Sequence, residues 1–290
     1  MKQNYLEKSA QDGSEKFKRF VLLVSIFLAS GLGSSTVRAA SPDVEAVKAL
    51  KKLQPAAGLK VELFAAEPLL ENPVSISVDE KGRVFIAETH RYKDSIFDIT
   101  QKPAWLLDDL SFRAPAERAA FLRRTFETNF AFMTNSSEMV RMVEDKDGDG
   151  RADVSTVVAE GFNESISGTA AGVLAKNGTV WFANIPDLWR LQVNAQGKAI
   201  EKRRLQGNFG VHIGVTGHDL HGLIIGPDGK LYFSIGDRGF KPPPNILGRG
   251  FASKFLERVL PDCGAVFRCN PDGTGFEVYC LGLRNPQELA

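Results

Sequence analysis

Two groups of residues in this chain have the types and spacing to do chemistry. The first is His218 and Asp237, at the two ends of an apolar stretch that turns at Pro227, Asp228 and Gly229. Asp-Gly supplies the positive φ of a tight turn, so 217–239 is predicted to be a β-hairpin. With the turn centred on Asp228 and Gly229, Leu220 falls opposite Asp237 and His218 opposite Gly239. A histidine and a carboxylate then meet diagonally at the open end. A neutral imidazole oriented by a carboxylate is a general base. The second group is Asp145, Asp147, Asp149 and Asp153, spaced around Gly148 and Gly150. Alternate carboxylates around a glycine turn converge on one point, as a hard cation such as Ca²⁺ requires, and the carbonyl of Arg151 can join them. The loop lacks the twelfth-position Glu of an EF-hand, since Thr156 stands there.

His212 and His221 add no transition-metal set to His218. On a strand His218 and His221 point to opposite faces, and no cysteine accompanies them. His221 is read as a hydrogen-bonded strand residue. Three cysteines, Cys263, Cys269 and Cys280, leave at least one unpaired; no bridge between Cys269 and Cys280 is expected, and the three read as small apolar strand residues.

These groups must be positioned by a repeated element. The hairpin pattern occurs three times, with turn glycines Gly82, Gly178 and Gly229. The repeat is about 50 residues once a helical-looking insertion, roughly 92–138, is set aside. Each unit carries a second, outer hairpin: 139–158, 188–205 and 265–280. Four antiparallel strands per unit at a fixed period predict an all-β fold, a β-propeller, with about three blades in this chain. A mixed β-sandwich gives no reason for one turn chemistry to recur at a fixed period. Asn285 and Pro286 repeat Asn72 and Pro73, so a fourth inner hairpin is expected to turn near position 295, and the chain is read as truncated at the start of blade four.

In such a fold the loops between blades and those from second to third strands share one rim. Glu71, Ser167, His218 and Arg284 lead into it; His90, Pro186, Asp187 and Asp237 lead out. The insertion belongs at the same rim. In it Ala119, Leu122, Phe126 and Phe130 recur at helical spacing after Pro115, as either a lid or a packed excursion.

The chain has 36 Lys plus Arg against 35 Asp plus Glu and is 43% hydrophobic, which gives no reason to expect nucleic acid and argues for a real core. Residues 1–39 read as a secretory signal: a basic start, an apolar run of about 13 residues, too short to span a bilayer, and a small-residue end at Ala39. Export to the periplasm or another extracytoplasmic space follows, with an uncleaved membrane anchor as the alternative; 40–290 is the propeller segment.

Several of these residues carry a resemblance. The aspartate loop is similar to the calcium loops in the outer hairpins of integrin-type propellers, which implies a structural role for the ion. The stretch from His218 to Asp237, together with Gly282, Arg284, Asn285, Pro286 and Gln287, resembles the soluble glucose and sorbosone dehydrogenases, six-bladed propellers that bind pyrroloquinoline quinone (PQQ). It is similar above all to the bacterial membrane-bound dehydrogenase group, in which the propeller precedes a c-type cytochrome domain. The resemblance runs from about Leu59 to Ala290. It implies a sugar or alcohol dehydrogenase in which His218 takes the substrate hydroxyl proton, Asp237 orients it, and Arg284 and Asn285 contact the quinone. It implies as partners a small sugar or alcohol and a c-type cytochrome acceptor, with haem only in a domain beyond this chain. The residues also leave open a non-catalytic carbohydrate- or protein-binding propeller and a calcium-dependent hydrolase propeller.

Overall fold

The computed structural model of the chain describes residues 37–38, 44–242, 254 and 257–290. The expected signal segment therefore lies outside the described residues, apart from Val37–Arg38. No helix among the described residues is long and apolar enough to cross a membrane.

Thirteen strands among the described residues form three antiparallel sheets. The first contains β1 (Val37–Arg38), β2 (Pro73–Val78), β3 (Val84–Glu88), β4 (Glu138–Glu144) and β5 (Val154–Phe162), in the order β1-β5-β4-β3-β2. The second is β6 (Ala170–Lys176), β7 (Thr179–Asn184), β8 (Asp187–Val193) and β9 (Ala199–Gln206). The third is β10 (Leu220–Ile225), β11 (Leu231–Ile235), β12 (Gly264–Cys269) and β13 (Glu277–Leu283). Each is a four-stranded meander, the first with the two-residue β1 added at its outer edge. The inner turns fall at Gly82, Gly178 and Gly229, with φ of 77°, 71° and 74°, as the repeat required.

The sheets pack face to face through two apolar layers. Phe85, Met142, Phe162, Val173, Phe182 and Leu191 fill the space between the first and second sheets. Trp181, Leu188, Phe209, Leu220, Phe233 and Phe267 fill that between the second and third. The first strands of successive sheets stand side by side: the Ala175 amide in β6 donates to Ser77 Oγ in β2 at 2.9 Å, and a Cβ on Gly172 in β6 would lie 3.2 Å from the His221 Cα in β10. Meanders stacked with their first strands adjacent make a propeller-like arrangement.

Two sequence expectations need correction. The third inner hairpin pairs Leu220 with Ile235, not with Asp237. Its loop holds three residues, since the Gly226 amide bonds the Lys230 carbonyl and the Gly229 amide bonds the Gly226 carbonyl. A bulge between His221 and Ile224 shifts the register once more, at Gly222, whose φ is 68°. In the insertion, α1 being the separate helix Val44–Leu50, the helices are α2 (Leu106–Ser111) and α3 (Pro115–Phe126). Phe130 lies beyond α3, in a 3-10 segment Glu127–Thr134, because the chain leaves the helical region at Glu127, φ 35°. The insertion is a packed excursion: Phe112, Phe121, Leu122 and Met133 bury against Val211 and Ile213 of the loop entering the third sheet. Arg118 Nη2 donates to the Ile166 carbonyl at 2.9 Å, and the Ile99 amide to the Gly214 carbonyl at 2.9 Å.

Candidate active site

β10 begins just after His218 and β11 ends just before Asp237, so the hairpin delivers both to the rim. His218 is buried, and its Nδ1 is in direct contact with Asp237 Oδ1. A carboxylate on Nδ1 accepts the Nδ1–H and leaves Nε2 with its lone pair. That nitrogen makes no hydrogen bond among the described residues, whereas Asp237 stays partly open to solvent.

The chain after β13 completes the group. The Asp237 amide donates to the Arg284 carbonyl at 2.8 Å, which draws this segment alongside the hairpin. A Cβ on Gly236 would lie 2.7 Å from the His218 Cβ and 2.9 Å from Asn285 Oδ1. Glycine is therefore required there for the histidine and the asparagine to approach from the two sides. Asn285 Oδ1 is buried without a partner, and Arg284 is exposed. His218, Asp237, Asn285 and the backbone of Arg284 thus share one place at the rim.

The same rim holds other acids that the sequence marked. His90 sits between Glu88 Oε2, at 3.4 Å, and Glu71 Oε2, at 3.9 Å, a second histidine–carboxylate contact at the matching position of the first sheet. Burial raises the Asp187 carboxyl to about 6, although Arg204 Nη1 lies 3.5 Å from it.

Sequence reasoning missed the residues that fix this rim. Glu138, fully buried at the start of β4, accepts from Thr89 Oγ1 and from the amides of His90, Arg91 and Ala170, at 2.7 to 3.2 Å. Burial holds its pKa above the usual carboxylate range, against those hydrogen bonds. It ties the end of β3 to the start of β6. Asp219 and Arg238, each next in sequence to a member of the His218–Asp237 pair, form a buried ion pair of their own at 2.6 Å. Their adjacency to His218 and Asp237 was the available signal.

The aspartate loop lies far from this group in the fold, in the outer turn between β4 and β5. Asp145, Asp147 and Asp149 bring carboxylate oxygens within 4.8 Å of one another. The amides of Gly150 and Gly148 hold Asp145 below the usual carboxylate range. Asp153 stands apart from the three: its Oδ2 accepts the Lys146 amide at 2.8 Å and closes the neck of the loop. All three cysteines are free.

Residues 45–276 match a family model described as a domain of unknown function, DUF7133. The chain belongs to the DUF7133 family. No curated protein matches it. Among solved structures, a protein described as an oxidoreductase (glucose dehydrogenase) from Thermus thermophilus is 16% identical over 75% of this chain and 54% of that one, with a TM-score of 0.39. The PQQ-bound form of an aldose sugar dehydrogenase from Streptomyces coelicolor is 17% identical over 58% of this chain and 38% of that one, TM-score 0.30. A protein from Lactobacillus plantarum is 9% identical over 76% of this chain and 58% of that one, TM-score 0.32. The DUF7133 chain spans between 38% and 58% of these structures. Likeness this distant carries neither activity nor cofactor across, so the function of the DUF7133 chain has to be argued from its own rim.

Proposed function

We propose that this chain forms the substrate-oxidising face of an exported, quinoprotein-type dehydrogenase of sugars or alcohols, with His218 as its base. The observation that carries the reading is the His218 Nδ1 contact with Asp237, which leaves Nε2 as a lone-pair acceptor. Nε2 takes the proton of a substrate hydroxyl, and the Asp237 carboxylate stabilises the imidazolium that forms. Oxidation would also move a hydride from the carbon bearing that hydroxyl, and a bound quinone such as PQQ would supply the acceptor for it.

The residues present fit an anionic planar quinone at this edge. Arg284 offers it an exposed cation that can pair with a quinone carboxylate. Ca²⁺ belongs to the reading as a structural ion on Asp145, Asp147 and Asp149, with Asp153 holding the loop shut. A six-bladed parent, of which this chain supplies about three blades, a signal at 1–39 and a c-type cytochrome acceptor are further parts of the proposal.

The test is a dye-linked dehydrogenase assay of the complete protein over a sugar and alcohol panel, with PQQ titrated by fluorescence. Saturable quinone binding and activity lost in His218→Ala are the expected results. Absence of quinone binding, or activity indifferent to His218→Ala, overturns it.

A further inference from the structure

At the end of the strands away from the His218 rim, the second and third sheets leave a cavity of about 450 Å³ between them. Lys176 ends β6 beside the inner turn at Gly178; Trp181, Arg190 and Arg203 come from β7, β8 and β9; Pro271 and Asp272 come from the turn between β12 and β13. Two bonds join the sheets there, from Trp181 Nε1 to the Pro271 carbonyl and from Arg203 Nη2 to the Asp272 carbonyl, each at 2.9 Å. No residue of the rim group lines this cavity.

Strand register puts the cations on one face. Trp181 pairs with Arg190 and Arg190 with Arg203, so the two arginines are direct cross-strand neighbours. Like charges placed so on a sheet are destabilising. One carboxylate stands by both, Glu201, and it lies 3.8 Å from Arg190 Nη1 and 4.0 Å from Arg203 Nε, beyond hydrogen-bond reach of either atom. In β6 Leu174 pairs with Trp181, so Lys176, two residues on, shares that face, and its ammonium has no partner among the described residues. The acid in the cavity wall, Asp272, has its Oδ1 engaged by the Thr274 amide at 2.9 Å and hydroxyl at 2.7 Å. Three cations therefore face one cavity whose own carboxylate is already occupied.

The chemistry of an occupant follows from these donors. Arg190 Nη2 makes one bond, to Gln192 Oε1 at 3.1 Å, and Arg203 Nη2 makes the one to Asp272. A guanidinium carries five N–H groups, so most of the donors on both are unspent. The occupant has to bring negative charge and several acceptor oxygens. A lone carboxylate is planar, carries one charge and is satisfied by one guanidinium gripping both oxygens. A phosphate group carries about two charges and three free oxygens that point apart, which suits two guanidiniums and an ammonium arriving from different strands. The volume lies in the range of small-molecule sites, so the phosphate has room for an organic body against Ile225 and Pro271.

We propose that the cavity between the second and third sheets binds a small phosphomonoester, with its phosphate held by Arg190, Arg203 and Lys176. The site uses neither His218 nor a quinone, so it stands or falls independently of the dehydrogenase reading.

The experiment is calorimetric titration of the intact chain, without quinone, with glycerol 3-phosphate and ribose 5-phosphate, and in parallel with glycerol and succinate. Sedimentation with phosphatidylcholine vesicles, with and without phosphatidic acid, tells a lipid-borne phosphate from a free one. At least one phosphomonoester should bind saturably, with Arg190→Gln and Arg203→Gln each weakening it roughly tenfold or more and Lys176→Gln about threefold. All three positions reach solvent at the cavity, and melting temperatures show which variants are folded. Four outcomes overturn the proposal: no phosphomonoester saturating below about 10 mM, binding unchanged in the folded arginine variants, succinate binding more tightly than either phosphomonoester, or binding confined to the vesicles.

Discussion

Asp219 Oδ1 lies 2.6 Å from Arg238 Nη1, one residue along both strands from the contact between His218 and Asp237. Two carboxylate contacts therefore lie side by side across the mouth of one hairpin, the inner one buried and the outer one reaching solvent. Arg238 Nε also reaches the His212 carbonyl at 3.4 Å, and His212 itself bonds the Asp109 carbonyl of α2 at 2.8 Å. The inner pair thus lies on the path that joins the hairpin to the helical insertion. Asp219→Asn should destabilise the fold by about 3–5 kcal/mol, because it leaves the Arg238 charge buried without its partner. A double replacement, Asp219→Leu with Arg238→Met, should recover most of that loss. Urea melts of the three proteins measure it, and a double variant no more stable than Asp219→Asn would refute the account.

The outer pair should behave in the opposite way. His218→Ala is expected to lower turnover of the complete protein by roughly 10²- to 10⁴-fold with little change in melting temperature. Asp237→Asn should do less, since it misorients the base without deleting it. Dye-linked turnover and thermal melts on the same samples separate the two quantities.

Gly236→Ala tests the closeness of His218 and Asn285. A Cβ 2.7 Å from one side chain and 2.9 Å from the other forces both to shift, at a cost of about 1–3 kcal/mol. Melting temperature should fall and turnover should fall with it. Unchanged values for both would mean that the rim is looser than these distances.

Asp187 makes the fold sensitive to pH. Burial lifts its carboxyl from 3.8 to about 6, outweighing the attraction of Arg204, so folding favours the neutral form. That contribution is whole below about pH 4 and is lost as pH rises through 6. Asp187→Asn is neutral throughout. Between pH 4 and 7 the wild type should lose stability relative to the variant by about 3 kcal/mol at most, read from urea midpoints across that interval.

Calcium should raise the melting temperature of the chain in proportion to the logarithm of its concentration once the site is saturated. Asp147→Ala should abolish the increase and leave dehydrogenase turnover of the complete protein unchanged, because the loop is at the outer turn of the first sheet. A melt indifferent to calcium would remove the ion from the reading.

The hairpins were legible because their signal is local. Gly82, Gly178 and Gly229 need positive φ, and the apolar alternation on either side sets which face is buried. The meeting of His218 with Asp237 was also within reach, since both flank one hairpin. Register was not, because Pro227, Asp228 and Gly229 make a three-residue loop and Gly222 adds a bulge. Each shift of one residue is invisible to composition. Phe130 continued the helical spacing of α3, but spacing does not say where the backbone turns, and it turns at Glu127. Glu138 carries no motif at all. Its role rests on four donors from two distant stretches of chain, 89–91 and 170, which only the folded chain brings to it.

The alternation along 218–219 and 237–238 has a consequence for how this hairpin tolerates change. If 218 and 237 serve the proposed chemistry, neighbouring codons answer to different demands: 218 and 237 to turnover, 219 and 238 to the amount of folded protein. A saturation library across 216–239 should therefore split into two kinds of loss that interleave residue by residue, one visible only in turnover and the other already visible in abundance. Exchange of the outer pair for another pair of functional groups is then open without rebuilding the hairpin, since the inner pair keeps its mouth closed whatever stands beside it.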